Sequence, residues 1–177
     1  MSHTPRKRFG QNFLTDQGVI GAIERAIYPQ PGEHLVEIGP GLGALTRELL
    51  VSGCDLDAIE PLLAEFSVHR NFTLHKGDAL RFDFASLAGD GRPLRIVGNL
   101  PYNISTPLIF HLLAQKDPVQ DMHFMLQLEV VQRLTATPGS RHWGRLGIMT
   151  QLHCETAALF EVPPEAFDPP PKVTSAV

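Results

Sequence analysis

At 177 residues the chain has room for one domain with a full core, and its 43% apolar and 19% charged residues are what a soluble globular protein carries. A net charge of −4 excludes a polycation that grips nucleic acid by charge alone, and no apolar run is long enough to span a bilayer. Cys54 and Cys154 form neither a disulfide framework nor a metal-ligand spacing, and the eight histidines fall in no HxxxH or HExxH pattern, so no metal site is expected.

In chain order, the N-terminus "MSHTPRKRFGQNFL" has a basic cluster at Arg6, Lys7 and Arg8 but no apolar segment before a cleavage site. No secretory signal is read there, and a reducing cytoplasm is the expected location. Taken alone, the basic run reads as a solvated terminus. "AIERAIY" (22–28), after "LTDQGVIG", has helical spacing and is closed by the turn residues of "YPQPGE". "HLVEIG" is a buried strand, followed at once by glycines and the helical "ALTRELLV". "DLDAIE", "NFTLHKGD" and "PLRIVGN" follow as strands two to four, and "TPLIFHLLAQ" returns to helix. "DMHFMLQ" alternates as a fifth strand and "EVVQRLTA" is helical. "GRLGIMTQLHC" fits helix or strand, and "AALFEVP" is expected as a sixth strand. Strand and helix taking turns predict a doubly wound α/β sheet, whose ligands bind beyond the carboxyl ends of the strands.

Those ends carry the chemistry. "GPGLG" after strand one places Gly39, Gly41 and Gly43 where a backbone must turn sharply and approach a ligand closely. With Ala44 the loop also satisfies a dinucleotide fingerprint. Glu37, two residues before the first glycine, is awkward for a pyrophosphate and suited to a sulfonium or ammonium group, which favours S-adenosylmethionine over a nicotinamide cofactor. Glu60 after strand two can accept from ribose hydroxyls, or be a surface carboxylate in a turn. Asp78 after strand three can accept from an adenine amine, or cap a helix over "DALRF".

After strand four comes "GNLPYNIST". An adenine amine is a poor nucleophile because its lone pair is delocalised into the ring. Two acceptors, the Asn99 side-chain carbonyl and a backbone carbonyl such as that of Leu100, favour a pyramidal nitrogen with its lone pair aimed at an electrophilic methyl. Pro101 stiffens the turn, and Tyr102 offers a face on which a base can stack. The plain alternative is an Asn–Pro turn beside a packed tyrosine.

With "QNFL", "VEIGPGLG", "GDA", "GNLPYNIST" and "VPPEAFDPPPKV" in order, the chain resembles the ribosomal RNA adenine N6-dimethyltransferases, and within them the bacterial small-subunit (16S) group. The resemblance covers nearly the whole chain. It implies a Rossmann-like S-adenosylmethionine-dependent methyltransferase domain over residues 1–177, with a basic arm over about residues 1–14. Gln11, Asn12 and Leu14 would close over the cofactor, Gly39 and Gly41 would lie under its methionine part, Glu60 would hold its ribose, and Asp78 and Ala79 would meet its adenine. Asn99, Leu100 and Tyr102 would grip the target base, with Asn99 also bordering the cofactor, and Phe167 would cover the base from the other face. Arg6, Lys7 and Arg8 become RNA contacts.

The chain departs from the family pattern in two places. Glu60 runs directly into "PLLAEFSVHRNF", shorter than the family's helix there, and the sequence stops at "KVTSAV", where the family enters a last strand and a small basic helical domain. The implied activity is dimethylation of N6 on two adjacent adenines in a small-subunit RNA hairpin, without a metal, by a monomer acting on the assembling subunit. A noncatalytic RNA-binding assembly or transcription factor on the same fold is the alternative, and a nicotinamide-dependent oxidoreductase a more distant one, lacking a hydride-transfer residue pair.

Overall fold

The computed structural model describes residues 12–59 and 69–177. Two short strands, β1 (Phe13–Leu14) and β8 (Phe167–Asp168), pair antiparallel as a clip outside the main sheet. Among the described residues the main sheet has seven strands, in the spatial order Phe72–His75, Asp55–Ile59, His34–Ile38, Leu94–Asn99, Val119–Gln127, Ser175–Ala176, Glu161–Val162. Its parallel part consists of β2 (His34–Ile38), β3 (Asp55–Ile59), β4 (Phe72–His75), β5 (Leu94–Asn99) and β6 (Val119–Gln127). Beyond β6, β9 (Ser175–Ala176) lies antiparallel between β6 and β7 (Glu161–Val162).

All five residues of β2 are buried, as expected of a central parallel strand covered on both faces. Alternate side chains feed two cores. Leu35, Leu56, Val97 and Met125 meet α1 (Gln17–Ile27) and α2 (Ala44–Val51) on one face. Val36, Ile59, Ile96 and Leu126 meet α3 (Ser105–Ala114), α4 (Leu128–Leu134) and α5 (Arg145–Gln151) on the other. Glu37 and Asn99 share strand parity with Leu35 and Val97, so they belong to the α1–α2 face.

The first helix begins earlier than "AIERAIY" suggests. Asp16 caps it, its carboxylate accepting from the Val19 N–H at 2.9 Å, and Ile20, Ile23 and Ile27 form its buried stripe. The ambiguous "GRLGIMTQLHC" yields a helix, α5, because Gly147 lets it approach α4 closely: a Cβ there would stand 2.5 Å from the Arg133 carbonyl oxygen. The expected sixth strand shrinks to Glu161–Val162, although Leu159 and Phe160 still bond the main chain of Val177. The third stops at His75, and the fifth begins two residues early, at Val119.

At the amino end of the sheet, far from the glycine loop, buried Arg95 fastens the elements together. It pairs with Glu33 and Asp121 and donates to the Ile27 carbonyl at the end of α1. Among the described residues no helix is long and apolar enough to cross a membrane.

Candidate active site

A cavity of about 130 Å³ opens where β2 and β5 end, on the α1–α2 face. It gathers Asn12, Leu14, Gly39, Gly41, Asn99, Leu100, Tyr102 and Phe167 from four separate stretches of sequence. Asp78 and Ala79 do not line it. They follow β4, the edge strand two places from β2, and Asp78 is exposed. No helix starts at Asp78: its carboxylate accepts from the Leu80 N–H at 3.0 Å and its carbonyl from the Arg81 N–H at 2.9 Å, closing a tight turn. Gln11, Glu60, Arg6, Lys7 and Arg8 lie outside the described residues, as does the shortened segment after Glu60.

The glycine loop has the backbone its sequence implies. Gly39, Gly41 and Gly43 have φ of 69°, 59° and 78°, a left-handed region costly for any residue with a Cβ. The Gly43 N–H donates to the Pro40 carbonyl at 2.8 Å, and the Gly39 N–H ties the loop to the end of β3 through Ile59. At Gly41 a Cβ would also sit 3.4 Å from the Phe13 ring, so loop and clip are already in contact distance.

Below the loop Glu37 is 2% exposed and lines the cavity. Thr46, from the first turns of α2, donates its hydroxyl to Glu37 Oε2 at 2.6 Å. A carboxylate this deep is stabilised by such a charge-assisted bond and by any cation that enters the cavity.

At the end of β5 the chain is held in register by the Leu100 N–H, which donates to the Met125 carbonyl at 3.2 Å. Gly98 explains why Asn99 sits where it does. A Cβ at 98 would meet the Ile38 carbonyl oxygen at 2.5 Å, so glycine lets β5 press against β2 at the floor of the site. The Asn99 side chain makes no hydrogen bond among the described residues, and none of their main-chain bonds uses the Leu100 carbonyl. Two acceptors at the cavity are therefore uncommitted. Tyr102 is fixed at both ends: Ser105 donates to its carbonyl at 3.1 Å, and its hydroxyl lies 2.9 Å from Ser175 Oγ.

The clip delivers the remaining wall. Leu14 and Phe167 are register partners, and the Thr15 and Asp16 N–H groups both donate to the Ala166 carbonyl. Phe167 is 3% exposed, both a core residue and a wall of the cavity. The sequence reading missed His123, Met125 and Val177, which also line the cavity. Of these, only His123 carried a signal, a histidine inside a strand on the parity of Met125. Burial pushes its imidazole down, with the nearby Arg95 charge adding to that and Asp121 opposing it. Ser175 was missed too, being an ordinary small residue in a strand.

The model of the family described as ribosomal RNA adenine dimethylase matches residues 2–177. A Pseudomonas aeruginosa protein named ribosomal RNA small subunit methyltransferase A is 62% identical, over 99% of this chain and 68% of its own length. One of the same name from Saccharophagus degradans is 58% identical with the same coverage. Among solved structures, the 23S rRNA methyltransferase ErmE superposes with a TM-score of 0.80 at 28% identity, over 93% of this chain and 67% of its own. A dimethyladenosine transferase from Plasmodium falciparum gives the same TM-score and identity, over 93% of this chain and 61% of its own. With its Rossmann-like sheet and the "NLPY" turn at the cavity, the chain belongs to the ribosomal RNA adenine dimethylase family.

Proposed function

We propose that this enzyme transfers methyl groups from S-adenosylmethionine to N6 of two adjacent adenines in a hairpin loop of small-subunit (16S) ribosomal RNA, as part of subunit maturation. The observation that carries the reading is the pair of uncommitted acceptors, the Asn99 amide and the Leu100 carbonyl, held at one cavity beside the Tyr102 ring. Both acceptors are at the cavity and open to an incoming ligand, and an exocyclic amine brings two N–H donors to meet them.

The residues fit the donor. The left-handed glycine loop leaves backbone room at Gly39 and Gly41, and buried Glu37 suits a cationic group. Asn12, Leu14 and Asn99 would border it, with Gln11, Glu60, Asp78 and Ala79 holding its ribose and adenine. When bound, S-adenosylmethionine supplies a methyl made electrophilic by its sulfonium.

The chain's own contribution is positioning and fixed dipoles. Asn99 and Leu100 accept from the target amine and orient its nitrogen lone pair. Tyr102 and Phe167 flank the flat base, which must be unstacked before N6 can be reached. The methylated amine sheds its proton to water, so no side chain has to act as a strong base. Arg6, Lys7 and Arg8 would contact RNA phosphates. Residues 1–177 serve as the catalytic domain of a cytoplasmic, metal-independent monomer.

Transfer of labelled methyl from S-adenosylmethionine to unmethylated small ribosomal subunits tests this. Asn99→Ala is expected to cost about 10²- to 10³-fold in kcat, the scale of losing one preorganised polar contact to the reacting group. Undiminished transfer by Asn99→Ala would refute the assignment.

A further inference from the structure

The geometry points to Ser175 as a positioning residue for the transfer, acting through the Tyr102 hydroxyl. It rests on the reading of the cavity as the adenine site.

Ser175 is completely buried on β9, and that strand is held on both sides, Gln127 of β6 opposite it in one ladder and Val162 of β7 in the other. Its Oγ therefore has little freedom beyond rotation about one bond. The 2.9 Å contact joins this fixed point to the outer end of the Tyr102 ring. The inner end is fixed by the Ser105 bond to the Tyr102 carbonyl. A tyrosine ring has two side-chain torsions, and a hydrogen bond at its far tip restrains both. Without it the ring can swing while its backbone stays in place.

The contact also couples the two walls of the cavity. Tyr102 belongs to the loop after β5, whereas Phe167 follows β7 by only a few residues, and β7 pairs with the strand that carries Ser175. The Tyr102–Ser175 bond thus ties the ring on one wall to the strand hairpin that leads to the ring on the other. A flat base held between walls in fixed relation presents its amine in one orientation, and that governs the rate of transfer rather than the affinity for the methyl donor. The sequence hints at none of this, since Ser175 lies 73 residues from Tyr102.

The test uses the whole chain with Ser175→Ala, Tyr102→Phe and both together. Each is assayed for kcat and KM on unmethylated small subunits and titrated calorimetrically with S-adenosylmethionine. Each single change is expected to lower kcat about 2- to 12-fold, the worth of one neutral hydrogen bond, with the cofactor Kd within about twofold of wild type. The double variant should be no worse than the worse single one, because both remove the same bond. Wild-type kcat in Ser175→Ala, or losses that multiply in the double variant, would overturn the inference while leaving the methyltransferase reading intact. A loss confined to cofactor affinity would overturn it as well. Should Ser175→Ala fail to fold, Tyr102→Phe decides alone, since it removes only the hydroxyl: a wild-type kcat there refutes the role. Absence of transfer by the wild-type chain would overturn both readings together.

Discussion

Gly98→Ala is the substitution that most directly links the packing of the sheet to the chemistry. The added Cβ would lie 2.5 Å from the Ile38 carbonyl oxygen and 3.1 Å from a Leu100 methyl. Because the first of these is backbone, no side-chain rotation relieves it, and β5 must retreat from β2 by roughly half an ångström in an interior packed like a crystal. Overpacking of this kind costs about 1–3 kcal/mol. For a chain of this size that lowers Tm by roughly 2–12 °C. Asn99 is the next residue and moves with the strand. Since a displacement of about 1 Å can cost about 10²-fold in rate, half of that should cost about tenfold in kcat. Scanning calorimetry and the methyl-transfer assay read the two effects on one sample. A variant that melts within about 1 °C of wild type and transfers at full rate would show that the close approach of β5 to β2 neither stabilises the sheet nor aims Asn99.

Three further outcomes are expected. Glu37→Gln should weaken S-adenosylmethionine binding about tenfold or more by calorimetry, and Thr46→Val less, because the first removes the buried charge and the second only its hydroxyl partner. Arg95→Met should cost about 2–3 kcal/mol in urea unfolding without changing cofactor affinity, since it orphans the Ile27 carbonyl and leaves Glu33 and Asp121 facing each other at the end of the sheet away from the cavity. Asp57, buried between His34 and His75, governs acid stability. Burial pushes its carboxyl up, but the hydrogen bonds from both histidines outweigh that and hold it below the usual value of 3.8. A depressed carboxylate stabilises the fold at pH values above its unfolded pKa, and this contribution is lost as pH falls through the lower folded value. Urea midpoints of the wild type should therefore drop below about pH 4, and Asp57→Asn should flatten that limb.

The parallel half of the sheet was legible because its code is local. "HLVEI" and "LRIV" are apolar runs that only a strand covered on both faces would tolerate, and each gives way to a residue the core would reject. Glycines at 39, 41 and 43 after β2, and an asparagine at 99, could be read as ligand-facing from that interruption alone. What stayed hidden is what requires distant segments to meet. Two-residue strands such as β1 and β8 have no periodicity to detect, and their pairing follows from the main-chain bonds of Thr15 and Asp16 to Ala166. "GRLGIMTQLHC" could not be assigned because its glycine at 147 looks like a helix breaker until α4 is found 2.5 Å from where a Cβ would be.

The same division runs through the site. Asn99 and Glu37 were conspicuous as polar residues in apolar surroundings, and they are the groups with most to gain from a ligand. Thr46, Gly98 and Ser175 were inconspicuous, because a hydroxyl on a helix, a glycine in a strand and a serine in a strand are each ordinary. Yet Thr46 orients the carboxylate, Gly98 sets how deep the asparagine sits, and Ser175 restrains the tyrosine. Residues that touch a substrate must carry unusual chemistry and so disturb a sequence pattern. Those that hold them in place need only reach, and reach is a property of the folded chain. A site built this way should lose rate gradually under changes at positions 46, 98 and 175 and steeply under a change at Asn99, a ranking that one methyl-transfer assay across the four variants can test.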